Sequence, residues 1–273
     1  ATTAATGSPY AGLFVAALAG LFISGAFAFL TISLKTDQVV TGLVFAFLGI
    51  GLTTLLGEPW TQISIDNGLP NIAIPLLADL PLIGRFLFQN TITDYLALLL
   101  IPAVWYFLFR TNLGLEIRFV GQNPEVADTA GVSVTSHRYL SILIGGVLAS
   151  LGGAHLSLAF VQLWAPGIVG GRGWIAIALV IFSRWNPSYA LLGAYLFAFI
   201  DAVAVRSQLI DLSSLPLSEA LAEIFAVVFN PTLMTTYPYV ATLLVLIVVS
   251  RQGSSQRSGG PSALMDSYVR EGE

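Results

Sequence analysis

Long uncharged apolar runs constrain the fold of this chain more than any other feature of its sequence. A helix needs about 20 apolar residues to cross the roughly 30 Å hydrocarbon layer of a membrane. Runs near that length occupy residues 10–34, 39–56, 95–109, 139–163 and 188–205, and shorter runs occupy 174–182 and 237–250. They predict an all-α fold, a polytopic transmembrane helical bundle with about seven crossings. The run at 174–182 is expected to extend back through Ile168.

The charge content excludes several other classes of protein. Only 10% of the 273 residues are charged, whereas soluble domains carry roughly 25%. The formal net charge of −4 argues against a nucleic-acid partner, because such proteins usually cluster Lys and Arg on one face. The chain has no cysteine, which excludes disulfides and thiolate metal sites.

Polar segments divide the predicted membrane domain, residues 1–250, into crossings and loops. Residues 57–93 contain four prolines and several charges, which predicts an external loop. Residues 111–138 are also charged and are expected to form a cytoplasmic loop. Residues 251–273 are rich in Gly, Ser, Gln and charge, which predicts a disordered cytoplasmic tail. Residues 217–229 fit an external amphipathic helix or a re-entrant one.

Basic residues define the orientation, because Lys and Arg accumulate in cytoplasmic loops. With Ala1 outside, only Arg85, Arg172 and Arg206 fall outside. The inside set is larger and comprises Lys35, Arg110, Arg118, Arg138, Arg184, Arg251, Arg257 and Arg270. The eight-to-three asymmetry selects this orientation for a multi-pass protein of a bacterial-type cell (inner) membrane.

Small residues recur at four-residue spacing in two of the predicted helices. One ladder is Gly12, Ala16, Gly20 and Ser24, and the other is Gly145, Ala149 and Gly153. Such ladders let two helices approach closely in lipid. The spacing predicts close helix packing, and a moving interface used in transport is the alternative interpretation.

The sequence lacks the motifs of common hydrolases. Lys35 is the single lysine and does not stand in a phosphate-binding loop. His137 and His155 are too far apart for the zinc-binding motif H-E-x-x-H, and neither has an adjacent acid. We expect no catalytic residue, metal site or cofactor in this chain.

Two ionisable residues, His155 and Asp201, fall within predicted membrane helices, where such groups mark candidate functional sites. His155 is predicted to face a polar cavity or to occupy a neutral hydrogen-bonded slot. Asp201 fits an ion pair with nearby Arg206, a water-exposed position or the permeation path. Gln162 follows His155 by seven residues, so an α-helix would place both on one face. These three residues are the candidates for the permeation path.

A short capped helix is predicted inside the cytoplasmic loop. Asn123 is a good N-cap, Pro124 suits the first helical position and Glu125 suits the positive end of the helix dipole. Gly131 can adopt the left-handed conformation that ends a helix. A helix over residues 124–130 fits insertion into a partner's groove, or alternatively it seals the bundle.

This loop resembles the coupling loop of permeases in ABC importers for branched-chain amino acids, ribose and nucleosides. Val126 departs from the family pattern, which often has alanine there. Residues 35–42, 74–84 and 171–187 are similar to the nucleoside and simple-sugar branch of that family. The matching positions in the loop are Gly114, Glu116, Arg118, Gly121, Asn123, Pro124, Ala127, Ala130 and Gly131.

The resemblance implies a permease subunit that imports nucleosides or related small polar solutes and contacts an ATPase through this loop, in which we also include Glu125. The implied partners are a separate ABC ATPase subunit, a second permease subunit, an extracytoplasmic solute-binding protein and membrane lipid. The resemblance also predicts further membrane sequence before Ala1, so that the chain is N-terminally incomplete.

Other functions fit the residues without the resemblance. An ion-coupled secondary carrier would use His155 or Asp201, and a membrane-embedded enzyme would convert a lipid or peptide. Within the same family, the solute is alternatively a sugar or a branched-chain amino acid.

Overall fold

The computed structural model forms two compact units, Ala1–Gly170 with Pro261–Glu273, and Gly171–Gly260. The described residues leave out most of the predicted seventh crossing, the ambiguous segment 217–229 and much of the predicted external loop. The structure describes residues 1–61, 63, 68–75, 78, 88–207, 230, 233, 236–237, 240, 243–244, 247, 260–266 and 268, without the side chains of 204, 205 and 207.

Seven α-helices and one β-hairpin belong to the described part of the first unit. Helices α2 and α7 each continue as a π-helical turn, Phe29–Ser33 and Leu156–Phe160, and a 3₁₀ turn, Glu58–Trp60, follows α3. The helices are α1 (Thr2–Thr6), α2 (Pro9–Ala28), α3 (Gln38–Gly57), α4 (Ile92–Arg110), α5 (Asn112–Gln122), α6 (Pro124–Thr129) and α7 (Val134–His155).

Side-chain caps define where several helices begin. Asp37 Oδ1 accepts the Val40 N–H at 2.8 Å at the start of α3. Thr91 and Asp94 form a reciprocal capping box at the start of α4, with the Thr91 N–H donating to Asp94 Oδ2 at 2.9 Å. These caps satisfy N–H groups that have no partner within the helix.

The predicted external loop contains a two-stranded antiparallel hairpin in its described part. Strand β1 is Asn71–Ala73 and β2 is Gln89–Thr91, with Ile72 opposite Asn90. Tyr95 at the start of α4 donates its hydroxyl to the Ile72 carbonyl at 2.9 Å. The hairpin is therefore fixed to the end of α4.

The second unit contains α8 (Arg172–Phe182) and α9 (Pro187–Ser207). The prediction that the first of these runs extends back through Ile168 is wrong. Gly170 and Gly171 have φ angles of 53° and 76°, a left-handed conformation that interrupts a right-handed helix.

Four helices of the described residues are long and apolar enough to cross a membrane: Pro9–Ser33, Gln38–Trp60, Ile92–Arg110 and Val134–Phe160. Arg172–Phe182 and Pro187–Val203 are shorter apolar helices. The polytopic helical bundle is confirmed, whereas the count of seven crossings stays a prediction. Many large apolar side chains are exposed, among them Phe22 at 79% and Phe47 at 72%, as expected for helices whose outer faces contact lipid.

The helix pair α2 and α7 has the most extensive contact in the described chain. Gly20 and Ser24 of α2 face Gly146 and Ser150 of α7 so closely that a Cβ at either glycine would overlap the opposite serine. The predicted small-residue ladder of α2 therefore forms part of the contact with α7. The α7 half, Gly145, Ala149 and Gly153, is wrong by one position, because nothing lies within 4 Å of a Cβ at Gly145 or Gly153.

The adjacent glycines of α7 provide a matched test of this packing. We expect Gly146→Val to destabilise the chain by about 1–3 kcal/mol, because the new side chain overpacks the crossing with α2. Gly145→Val makes the same change in helix propensity in open space and should leave the melting temperature near that of the wild type. Thermal unfolding of the purified variants in detergent measures both, and equal losses would contradict the assigned face.

Candidate coupling loop and permeation-path residues

The turn between α4 and α5 is held by Thr111 and Gly114. The Thr111 hydroxyl donates to the Phe107 carbonyl at 2.6 Å and accepts the Gly114 N–H at 3.1 Å. A Cβ at Gly114 would lie 2.7 Å from the Leu108 Cα, so this position requires glycine. The sharp turn brings α5 directly against the end of α4.

Helix α5 is a structural addition to the predicted coupling loop, for which the sequence indicated only one short helix. Its two charged residues have tertiary partners. Glu116 Oε2 lies 2.8 Å from His137 Nε2 of α7, and the Arg118 guanidinium lies 4.8 Å from the centre of the Phe109 ring of α4. Cation–π and hydrogen-bonded contacts of this kind allow charged residues to fold into the loop rather than interrupt it.

Both ring nitrogens of His137 face oxygen atoms. His137 Nδ1 lies 2.7 Å from the Ser133 carbonyl, and Nε2 lies against the Glu116 carboxylate. The ring therefore bridges the Ser133 carbonyl and the side chain of Glu116. Glu116 thus connects α5 to the first turn of α7.

The predicted cap of the short helix α6 is present. Asn123 Oδ1 accepts the Val126 N–H at 3.0 Å, and Pro124 occupies the first turn. Ala130 is the C-cap, and Gly131 follows with a left-handed φ of 84°. The local rules for helix ends therefore identified this element correctly to within one residue.

Helix α6 has one buried face and one exposed face. Ala127 is fully buried with Val120 of α5 and Val134 of α7. Glu125, Val126 and Ala130 are exposed. The arrangement presents one face of a short helix to the surface while the other face is fixed to a small apolar core.

Helix α7, which supplies Val134 to the core beneath α6, also contacts the end of α2. Tyr139 of α7 lies 2.6 Å, hydroxyl to hydroxyl, from Ser33 at the end of α2. A polar cavity of about 190 Å³ lies beside this contact and is lined by Thr31, Ile32, Lys35, Asp128, Ser133, Val134, Thr135, Arg138 and Tyr268. Helix α7, which follows the predicted coupling loop, thus contacts the end of α2 directly.

The sequence predicts disorder for residues 251–273. Its described residues, 260–266 and 268, instead make defined contacts. The Ala263 N–H donates to the Gly121 carbonyl at 3.0 Å, and Arg138 Nη1 donates to the Asp266 carbonyl at 2.8 Å. Tyr268 packs against the core of Val120, Ala127 and Val134. Composition predicted disorder because it averages over the segment and does not detect individual contacts.

His155 occupies a hydrogen-bonded position at the end of α7. Its Nδ1 lies 2.7 Å from the Thr93 hydroxyl, and its Nε2 lies 3.6 Å from Asp94 Oδ1. Both partners belong to the first turn of α4. The geometry favours the structural interpretation of His155 over a role in the permeation path.

Gln162 does not share a helical face with His155, and that prediction is wrong. Residues 156–160 form a π-helical turn, and Gln162 lies beyond it with a left-handed φ of 56°. The seven-residue rule assumes an uninterrupted α-helix. The Gln162 side chain instead lies beside Gly68.

A second cavity surrounds Gln162. It has a volume of about 590 Å³ and lies between the start of α2, the chain before β1 and the end of α7. Tyr10, Asn71 and Gln162 give it an aromatic ring and two amide groups. Its other lining residues are Pro9, Gly68, Leu69, Pro70 and Ala159.

Asp201 belongs to the second unit and lies against Arg172, whereas an ion pair with Arg206 was one of the three interpretations that the sequence left open. Asp201 Oδ2 lies 3.6 Å from Arg172 Nη2, and both side chains are more than 40% exposed. The Arg172 and Asp201 contact joins α8 to α9. Sequence proximity favoured Arg206, but the partner comes from the preceding helix.

The sequence analysis missed several residues that organise these sites. Thr91 and Asp94 carried a detectable signal, because their spacing is that of a capping box. Thr93 and His137 carried none, since their partners are 62 and 21 residues away. The C-terminal Tyr268 was hidden by the polar composition around it.

Comparisons with known proteins agree with the resemblance found in the sequence. The profile of the family described as "Branched-chain amino acid transport system / permease component" matches residues 1–229. The putative glucose ABC transporter permease protein TsgC13 of Haloferax volcanii is 49% identical, over 98% of this chain and 84% of the relative. No solved structure matches the chain.

Two further relatives are named as permeases for nucleosides or guanosine. The nucleoside ABC transporter permease protein NupC of Lactococcus lactis is 30% identical, over 93% of this chain and 77% of the relative. The guanosine ABC transporter permease protein NupQ of Bacillus subtilis is also 30% identical, with the same coverage of both chains. The likeness therefore extends along nearly the whole chain.

The contact between His155 and Thr93 predicts a coupled loss of stability. We expect His155→Leu and Thr93→Val each to lower the free energy of unfolding by about 1 kcal/mol, because each removes a hydrogen bond. The double variant should lose less than the sum of the two.

Ser157→Ala is the matched control, because among the described residues its hydroxyl bonds to the Ala154 carbonyl of its own helix alone. Thermal unfolding of the wild type, the two single variants and the double variant gives the coupling energy, and Ser157→Ala should unfold near the wild-type temperature. Fully additive losses would show that the two side chains do not interact.

Proposed function

The chain belongs to the family of permease components of branched-chain amino acid transport systems, and from this premise we propose how it works in an importer. The permease imports a small polar solute while a separate ATPase subunit hydrolyses ATP. An extracytoplasmic binding protein delivers the solute, and a second permease subunit completes the pathway. The assembly lies in the cell membrane, with the coupling loop in the cytoplasm.

The observation that carries this proposal is the exposed, capped helix α6. Its buried Ala127 fixes the helix to the core shared with α5 and α7, while Val126 is 48% exposed beside Glu125 and Ala130. A six-residue helix is too short to cross the membrane. Its exposed face is free to enter a groove on the ATPase.

The contacts beneath α6 would transmit a movement of the ATPase to the membrane helices. Closure of the ATPase would displace α6, and the shared core would transfer that displacement to α5 and the first turn of α7. Helix α7 packs tightly on α2 through Gly20, Ser24, Gly146 and Ser150. Because the small residues let the two helices pack closely, a shift of α7 would also displace α2.

Energy must reach the permease from the ATPase, because accumulation is unfavourable. A thousandfold concentration ratio corresponds to about 4 kcal/mol. The ion-coupled alternative would need a titrating group that faces the pathway. His155 is bonded to α4 and Asp201 is paired with Arg172, so the geometry gives that alternative no support.

The solute we propose is a compact ring that bears hydroxyl groups, either a nucleoside or a simple sugar. The named relatives include both kinds of permease. The cavity beside Gln162 is consistent with this chemistry, because aromatic rings stack on flat or apolar ring faces and amides bond to polar ring substituents. Tyr10, Asn71 and Gln162 are the groups available there.

Reconstitution identifies the solute and tests the transport function together. The full chain with its ATPase, its second permease subunit and its binding protein should hydrolyse ATP faster when the binding protein carries a nucleoside or a simple sugar. Radiolabelled adenosine and glucose distinguish the two in uptake into proteoliposomes. Uptake that is independent of ATP and is abolished by an uncoupler would instead indicate the ion-coupled carrier.

A substitution on the exposed end of α6 tests its contact with the ATPase. We expect Ala130→Arg to reduce solute-stimulated ATP hydrolysis by about tenfold or more, because a long charged side chain would separate the two surfaces. Ala130→Ser is the matched control and should remain coupled. The measurement is the ratio of stimulated to unstimulated hydrolysis at equal membrane insertion, and a fully coupled arginine variant would contradict docking through α6.

A further inference from the structure

We infer that the C-terminal segment formed by residues 261–266 and 268 is a positioning element that holds the proposed coupling helix α6 ready for the ATPase. This inference rests on the proposed function and adds a requirement to it. Coupling would depend on a segment that lies more than a hundred residues from the coupling loop in sequence. The argument has three steps, concerning the end of α5, the glycine at 121 and the core beneath α6.

The segment caps the end of α5. The last carbonyl groups of an α-helix have no partner within the helix. Here the Ala263 N–H donates to the Gly121 carbonyl at 3.0 Å. The Ser262 hydroxyl donates to the Gln122 carbonyl and lies 3.2 Å from Gln122 Oε1. Since Asn123 follows directly, these bonds fix the point from which α6 begins.

Gly121 permits the close approach of the segment. A Cβ at this position would lie 3.2 Å from the Cβ of Pro261. A larger side chain would therefore push Pro261 away from α5. The close approach gives a physical reason for glycine at this position of the loop, independent of any contact with the ATPase.

Tyr268 and Asp266 connect the segment to the other two helices of the loop. Tyr268 packs against the core that holds Val120 of α5, Ala127 of α6 and Val134 of α7. The Asp266 carbonyl accepts a hydrogen bond from Arg138 of α7 at 2.8 Å. The segment thus contacts the residues before, within and after the coupling helix.

These contacts matter because α6 has little stability of its own. Helices shorter than about 12 residues are marginal in water without tertiary contacts, and α6 has six residues. Its position is therefore determined by its surroundings, of which the C-terminal segment is a part. Loss of the segment is expected to loosen α6 and to weaken the transfer of movement between the ATPase and α7.

Cysteine cross-linking tests whether the segment docks, without reference to transport. The chain has no native cysteine, so the pair Gln122→Cys and Ser262→Cys is the one available to form a disulfide within the chain. We expect a cross-link in membranes that carry the intact transporter, and none in either single variant. Failure of the pair to cross-link would overturn the inference, whatever the transport activity.

Coupling tests the positioning role. In the reconstituted transporter we expect Tyr268→Ser to lower the ratio of solute-stimulated to unstimulated ATP hydrolysis by about tenfold. Tyr268→Phe keeps the ring in the core and should restore most of the ratio. Met265→Asn is the matched control, because Met265 is 62% exposed and asparagine tolerates its left-handed φ of 70°.

The possible results separate this inference from the proposed function. Normal coupling in Tyr268→Ser would overturn the positioning role even if the cross-link forms. If Tyr268→Ser does not fold, Gly121→Leu displaces Pro261 instead, and normal coupling in that variant would be equally decisive. If the pair Gln122→Cys and Ser262→Cys cross-links but the wild-type chain never stimulates an ATPase, the proposed function is refuted while the docking of the segment stands.

Discussion

Every helix in this chain must end, and each end leaves backbone groups that need hydrogen-bond partners. The constraint is severe in a membrane, where no water is available within the hydrocarbon layer. Asp37, the Thr91 and Asp94 capping box, and Asn123 satisfy the N–H groups of three helices. The C-terminal segment satisfies carbonyls of α5. These ends determine where the chain turns and therefore where the coupling helix lies.

Features that depend on neighbouring residues could be predicted from the sequence. The apolar runs gave the long helices to within a few residues, and the cap at Asn123 with the stop at Gly131 was correct because both are local. The small-residue ladder was half correct. Gly145 and Gly146 are adjacent, and spacing alone does not reveal which of two neighbouring faces meets α2. The relation between His155 and Gln162 failed because a π-helical turn changes the helical period between them.

Features that depend on distant partners could not be predicted. Glu116 meets His137 across 21 residues, His155 meets Thr93 across 62, and Ser262 meets Gln122 across 140. Each residue type was visible in the sequence, but many other polar residues were equally available as partners. Composition also misjudged the C-terminal segment. Tyr268 packs against the buried core of Val120, Ala127 and Val134, a contact that composition does not reveal.

In the proposed importer, the weak stability of α6 affects how solute binding and ATPase binding influence each other. A helix held mainly by α5, α7 and the C-terminal segment adopts the position that those elements impose. In the proposed importer, a shift of α7 caused by solute would change the position of α6 and its affinity for the ATPase. Linkage then requires the reverse effect, in which the nucleotide state of the ATPase changes the affinity for solute by the same factor.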